Sequence, residues 1–418
     1  MLYLDACRAI FMSLGIILHA AIPFVPGMDW IITGDERSVV LGYVYHFINA
    51  FRMPGFFIIA GYFAALAVAR RGTRLWFRSR LERLAIPLVF AVIAVVPLVS
   101  LAAAIPDVFA GAGGDAGSHL RAALRQHLQP GFHWVSHLWF VLDLLIYATV
   151  FALACALHGG ATAAFGRYSA RLLKAFSTLP GSALIAALAV YGVCIHAVSH
   201  SSFGEALAFL GDYPLWHVFD GPRLAYHAPY FLLGVLLHAH AGFLTAFAQP
   251  SPAAWFAGIL FLAAFVYLRV HVSHREFLTA AVAAPTAILL TRMWMHAAAS
   301  VFDRPSSIVR HTVDGSYTVY IIHLPIIVAM VALVAPLQLG AAASFVIVAL
   351  ATVGLSSGFH VATRDRPLWR YALNGISLPR GGTAERRAEE GDPPAPTLPR
   401  PAPATEAADR GGDARARR

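Results

Sequence analysis

The chain is 418 residues long, 58% hydrophobic and only 13% charged, with a mean hydropathy of +0.65. Soluble domains carry about a quarter of their residues as charged side chains, so these figures exclude a soluble enzyme and predict an all-α, polytopic membrane protein. The net charge of +9 is no sign of nucleic-acid binding, because the arginines gather at helix ends and in the C-terminal tail, as they do on the cytoplasmic side of membrane proteins.

A membrane span needs about 20 apolar residues. That rule predicts ten transmembrane helices, near 5–26, 39–69, 84–105, 137–157, 182–199, 224–240, 253–271, 276–297, 315–334 and 338–361. The second is too long for a straight crossing and must tilt, kink or run on into the cytoplasm. The loop 70–83, RRGTRLWFRSRLER, holds six arginines. Loops 158–181 and 292–314 are also basic, whereas two of the alternate loops carry acidic residues and 239–252 is uncharged. Ten spans with both termini cytoplasmic satisfy this pattern. Residues 1–375 therefore read as an integral-membrane domain. Residues 376–418, rich in Pro, Ala, Gly and Arg, cannot bury a core and are expected to form a disordered cytoplasmic tail. The first span lacks the small-residue cleavage site of a signal peptide. Cys7, Cys155 and Cys194 lie in apolar segments and are expected as buried small hydrophobes, with neither a disulfide framework nor metal spacing. No metal site is expected.

An ionisable side chain inside a span is a functional candidate, because the bilayer makes it costly. The first helix carries Arg8 and His19, eleven residues apart. Eleven steps of about 100° leave both on one face, separated by a rise of roughly 16 Å. An arginine at the cytoplasmic end can grip phosphates, and a neutral histidine deeper in can act as a general base. That layout suits a long donor with phosphates at one end and a reactive group at the other, the shape of an acyl-coenzyme A. A positive-inside anchor and a helix–helix hydrogen bond explain the same two residues equally well. On the second helix His46, Asn49 and Arg52 form a winding polar stripe, and Pro54 frees a backbone carbonyl one turn earlier. Arg52 lies too deep to reach the interface, so it faces a wet cavity or a carboxylate such as Asp143. At the start of the fourth helix, His137 and Trp139 can receive a sugar ring, while Trp134 reads as part of an aromatic belt. On the ninth helix His323 sits two residues before Pro325.

These residues carry a resemblance. YLDACRAIFMSLGIILHA (3–20), FINAFRMPGFFIIAGYF (47–63), RSRLERLAIP (78–87), SHLWFVLDLL (136–145) and YTVYIIHLP (317–325) resemble, in order and spacing, the membrane acyltransferase 3 family. The resemblance covers residues 3–361 and omits the tail. It implies a ten-helix enzyme of the bacterial inner membrane, with no tightly bound cofactor. Such an enzyme takes an acyl group from cytoplasmic acyl-coenzyme A and delivers it to an acceptor outside. It implies His19 as the catalytic histidine, Arg8 as its paired arginine, and Arg78 and Arg80, with Arg83 close by, as the functional arginines after the second helix. The finer details point to a succinyl group and a periplasmic glucan. Arg52 and His46 are expected to stabilise charge at the reacting carbonyl, and Arg78, Arg80, Arg83, His137, Trp139 and His323 to bind substrates. The expected partners are the lipid bilayer, the acyl-coenzyme A and the glucan. Two alternatives remain open: acetyl transfer to another surface polysaccharide or small molecule, and a secondary transporter, which should show matching halves that the sequence lacks.

Overall fold

The computed structural model describes residues 2–110, 115–129, 134–157, 181–199, 218–239, 242–272, 274–302 and 307–376. The basic segment 158–180, the acidic segment 200–217 and the tail 377–418 lie outside the described residues, and with them the expectation of a disordered tail. Within the described residues the chain is helical, without a strand. The helices are α1 (Leu2–Ala21), α2 (Val39–Arg71), α3 (Thr73–Phe90), α4 (Val96–Ala103), α5 (Ile105–Ala110), α6 (Ala116–Leu128), α7 (Trp139–Leu157) and α8 (Gly181–Ser199). They continue with α9 (Gly221–Ala239), α10 (Phe243–Phe247), α11 (Pro252–His271), α12 (Glu276–Val301), α13 (Ser307–Val334), α14 (Ala341–Thr363) and α15 (Pro367–Asn374).

Each of the ten predicted spans falls on one of these helices or on the α3–α5 run. Among the described residues, eight helical segments are long and apolar enough to cross a membrane. The chain is an all-α, polytopic membrane protein. The other two predicted spans, α8 and α9, have 19 residues each. On α9 the polar residues Arg223, Tyr226, His227 and Tyr230 lower the hydropathy, and His227 and Tyr230 are buried against other helices.

Three expectations need correction. The basic stretch 70–83 is no loop: α2 runs to Arg71 and α3 begins at Thr73, with Gly72 alone between them. Gly72 has φ +78° and ψ 160°, a backbone region open only to glycine, so one residue makes the turn. The third span is also broken. Pro97 has no N–H to donate, and the turn before it widens into a π-helical stretch, Ala91–Val95, where the Val96 N–H reaches the Ala91 carbonyl. The cysteines differ as well. Cys7 is buried, Cys155 is half-buried and Cys194 is exposed, and none is bonded to another.

Helix α1 lies at the centre, packed by α2, α12, α13 and α14. Phe11 and Phe51 are fully buried and meet edge-on at 5.8 Å across the α1–α2 seam. The α2–α9 crossing depends on glycine. A Cβ on Gly61 would strike the Phe231 carbonyl, and one on Gly234 would strike the Ile58 carbonyl. Small residues let helix backbones approach closely in a bilayer, where hydrophobicity does not drive helices together. The connection from α1 to α2 is also built rather than slack. The Gly34 and Ser38 N–H groups donate to the Pro23 and Phe24 carbonyls at 2.9 and 2.7 Å. Arg37 donates to the Val25 carbonyl at 2.9 Å. These bonds hold Trp30 over the end of α1 that carries His19.

Candidate active site

The site is organised by the ends of α1. At the His19 end, the local chemistry starts with Pro325 on α13. Without an N–H, Pro325 leaves the Ile321 carbonyl, four residues earlier, with no helical donor. His137 Nε2 donates to that carbonyl at 3.0 Å. The Tyr320 hydroxyl in turn donates to the His137 backbone carbonyl. A short 3-10 turn, Ser136–Leu138, brings His137 inward, with Ser136 held at φ +41°.

The same helix orients the neighbouring histidine. His323 Nδ1 lies 2.6 Å from the Tyr320 carbonyl. A carbonyl only accepts, so Nδ1 carries the proton and His323 Nε2 is an acceptor. His19 Nδ1 lies 2.8 Å from that Nε2 and must be the donor. The lone pair of His19 is therefore left on Nε2. His19 borders a cavity of about 670 Å³ together with Trp30, His137 and Trp139. The rings of His19 and His323 are stacked at 5.1 Å, and Trp30 lies nearly parallel to His19 at 6.4 Å. His323 and His137 meet edge-on at 5.1 Å. Chemically, the arrangement is an unprotonated imidazole nitrogen, held in one tautomer by a second imidazole and a backbone carbonyl.

Arg52 sits beside this relay. It is 7% exposed, so it is buried in the bundle as its depth predicted. Among the described residues no carboxylate pairs with its guanidinium, and its Nε has no hydrogen-bond partner. A Cβ on Gly15 would strike Arg52 Nη1, so the guanidinium lies against α1 one turn below His19. His19, His323 and the Tyr320 hydroxyl are its electrostatic neighbours. A buried cation without an anion is costly, and a site built this way is ready for a negatively charged or polarised oxygen.

At the other end of α1, Arg8 pairs with Asp5 at 3.2 Å and lies over the Phe63 ring. Arg8, Arg80 and Arg83 line a second cavity of about 270 Å³, with Asp314, Tyr317 and Asn374. Among the described residues Arg80 and Arg83 have no carboxylate partner. Arg78 points elsewhere: it pairs with Glu82 at 3.2 Å and its side chain is 68% exposed. Met12, Phe56 and Phe140 form the apolar wall of this cavity on the side toward Arg52.

The remaining candidates are not drawn into one cluster. His46 is half-buried, edge-on to Tyr45 at 4.9 Å, with Arg269 as its electrostatic neighbour and no bond to His19. Asp143 orients neither His19 nor Arg52. It is fully buried and accepts two hydrogen bonds from Arg223, at 3.0 and 3.1 Å. Arg223 also lies over the Trp139 ring at 4.6 Å, and His227 stacks on Trp139 at 5.8 Å. Sequence reasoning missed Arg223, His227, Trp30 and Tyr320. Arg223 and His227 are four residues apart on one predicted helix, a polar stripe that could have been read. Trp30 lies in a loop and offered no such signal.

An intramembrane pair of histidines and a buried guanidinium thus lie at one end of α1, and a cavity lined by three arginines lies at the other. The family described as an acyltransferase domain, of type 3, matches residues 1–361. The chain belongs to that family and is a multi-pass membrane protein. It is 33% identical over 149 residues to the glucans biosynthesis protein C of Escherichia coli O6:K15:H31 (strain 536). It is 30% identical over 148 residues to the protein of the same name from Escherichia coli strain K12. Each match covers 35% of this chain and 37% of the relative's length. No solved structure matches.

Proposed function

We propose that this acyltransferase carries an acyl group from a cytoplasmic acyl-coenzyme A, across the bacterial inner membrane, to a hydroxyl of a periplasmic glucan. The carrying observation is the lone pair on His19 Nε2, held by His323 at one end of α1 while three arginines converge at the other. The relatives' printed name, glucans biosynthesis protein C, supports a glucan as acceptor.

In this reading Arg8, Arg80 and Arg83 hold the phosphates of the donor as charge-assisted partners. Arg78, turned away on its exposed face, contributes at most to the general positive field. The thioester arm passes the apolar wall of Met12, Phe56 and Phe140 and presents its carbonyl near Arg52. His19 Nε2 takes the proton of the glucan hydroxyl as its oxygen attacks that carbonyl. The new C–O bond forms, the C–S bond breaks, and the proton on His19 goes to the departing thiolate. The products are a glucan ester and free coenzyme A. His323 acts as the orienting partner of the base, since its Nε2 accepts from His19 Nδ1 and steadies the transient imidazolium. Arg52 stabilises the oxyanion. The same guanidinium, which no carboxylate pairs among the described residues, favours an acyl group that brings its own carboxylate, which supports succinyl over acetyl. Membership of an acyltransferase family supports this reading over a secondary transporter.

The test is mass spectrometry of periplasmic glucans from cells lacking the equivalent activity and expressing wild type or His19→Ala at equal membrane levels. Succinyl additions with wild type, absent with the variant, are expected. Acetyl additions would replace the donor and leave the mechanism standing. Unmodified glucans from both strains would sink the glucan acceptor, and equal modification by both would remove His19 as the base.

A further inference from the structure

Helix α6 takes no part in the relay or in the arginine cavity, yet it forms one wall of the His19 cavity. Ala123, Gln126 and His127, spaced i, i+3 and i+4, lie on the face of α6 that borders it, and Gln129 follows just after the helix. Leu120, Leu124 and Leu128, spaced i, i+4 and i+8, form a separate stripe, and all three are exposed. A helix with one apolar stripe open to its surroundings and a polar face turned onto the protein suits the membrane interface.

Two contacts pin it there. The His127 ring lies 3.2 Å from the Ser100 hydroxyl on α4. The Trp134 indole N–H donates to the His127 carbonyl at 2.9 Å. Trp134, which reads in the sequence as a belt aromatic, is a latch between α6 and the turn that delivers His137. Among the described residues, neither the Gln126 nor the Gln129 side-chain amide is hydrogen bonded to the protein. Each such amide offers two donors and an acceptor. Across the cavity stands Trp30, half-buried, its ring parallel to His19. The cavity of about 670 Å³ lies within the range of small-ligand sites, roughly 300–1,000 Å³, and exceeds what an acyl group alone would fill.

We propose that α6 is the strap that reads the acceptor: the amides of Gln126 and Gln129 grip the hydroxyls of a carbohydrate whose ring packs against Trp30. The proposal rests on the reading of the acceptor as a glucan. It assigns the ligand class by chemistry. Uncharged amides opposite an indole match a neutral polyhydroxylated ring, whereas a charged acceptor would call for a counter-ion that Gln126, Gln129 and Trp30 do not supply.

The experiment is a titration of intrinsic tryptophan fluorescence. The full-length protein, without an acyl donor and so unable to turn over, is placed in lipid nanodiscs and titrated with a periplasmic glucan fraction. Saturable quenching is expected. Replacing both amides, Gln126→Ala with Gln129→Ala, should raise the Kd at least about fivefold, the loss expected from one or two neutral hydrogen bonds. Both side chains are exposed, so the melting temperature should not move. Trp30→Ala is the second variant, read by titration calorimetry because it removes the reporting indole, and it should weaken binding by a comparable factor. Binding of glucan with the same Kd in all variants would overturn the strap and leave the glucan acceptor standing. No quenching of the parent protein by glucan would overturn both.

Discussion

The two ends of α1 show how one helix can serve two kinds of chemistry. At the Arg8 end the working groups are long-stemmed cations, and among the described residues Arg80 and Arg83 have no carboxylate partner. At the His19 end the groups are rings fixed by backbone carbonyls, and the bond from His323 to the Tyr320 carbonyl determines the direction of the bond between His19 and His323. The first design tolerates motion, because Coulomb attraction to a phosphate falls off slowly with distance. The second does not, because a proton transfer needs a heavy-atom separation of about 2.6–3.2 Å. The difference lies in the packing. Fully buried Leu138, Ile321 and Leu324 surround the rings, while Arg8 keeps about a third of its side chain exposed.

The largest expected effect breaks the His end outright. His19→Ala should lower transfer by about 10²–10⁴-fold, the usual contribution of a general base, in an assay of coenzyme A release driven by acceptor. His323→Ala should cost less, on the order of 10²-fold in kcat, because the base survives without its tautomer fixed. His323→Asn, whose amide can still accept from His19, should recover part of that loss; no recovery would mean that the ring matters for packing alone. Gly15→Ala tests the neighbouring guanidinium without touching it. The new methyl group must displace Arg52, so kcat should fall by about tenfold or more with the donor KM little changed, the loss of roughly 1.5–3 kcal/mol for a hydrogen bond to a charged group. A fall in donor KM affinity instead would move Arg52 from the reacting carbonyl to the donor-binding step.

The Arg end should respond in the opposite sense. Arg80→Ala and Arg83→Ala should each raise the donor KM by about tenfold, with kcat nearly unchanged. Arg78→Ala should be almost silent, because its exposed pair with Glu82 is worth at most about 1 kcal/mol. Equal effects at all three arginines would show that the cluster acts as a diffuse field and would erase the contrast between the ends.

The helices, and the stripe joining Arg8 to His19, were legible in the sequence. Apolar length and a 3.6-residue period are local properties, and the bilayer imposes them on each span separately. The depth of Arg52 was legible for the same reason. The partners were not. His19 and His323 are 304 positions apart in the chain, and whether their rings meet depends on how α1 and α13 cross and rotate. Asp143 stood at a depth suited to His19 or Arg52, yet α9 delivers Arg223 to it first. Arg78 and Arg80 look alike as an Arg-x-Arg motif, but two residues on a helix are about 200° apart, so only one can face the cavity. The loop at 70–83 became helix because a single glycine made the whole turn. Sequence determined which chemical groups enter the membrane and at what height. Tertiary packing decided which of them touch, because contact across helices depends on rotation and close approach, and neither is written in any one segment.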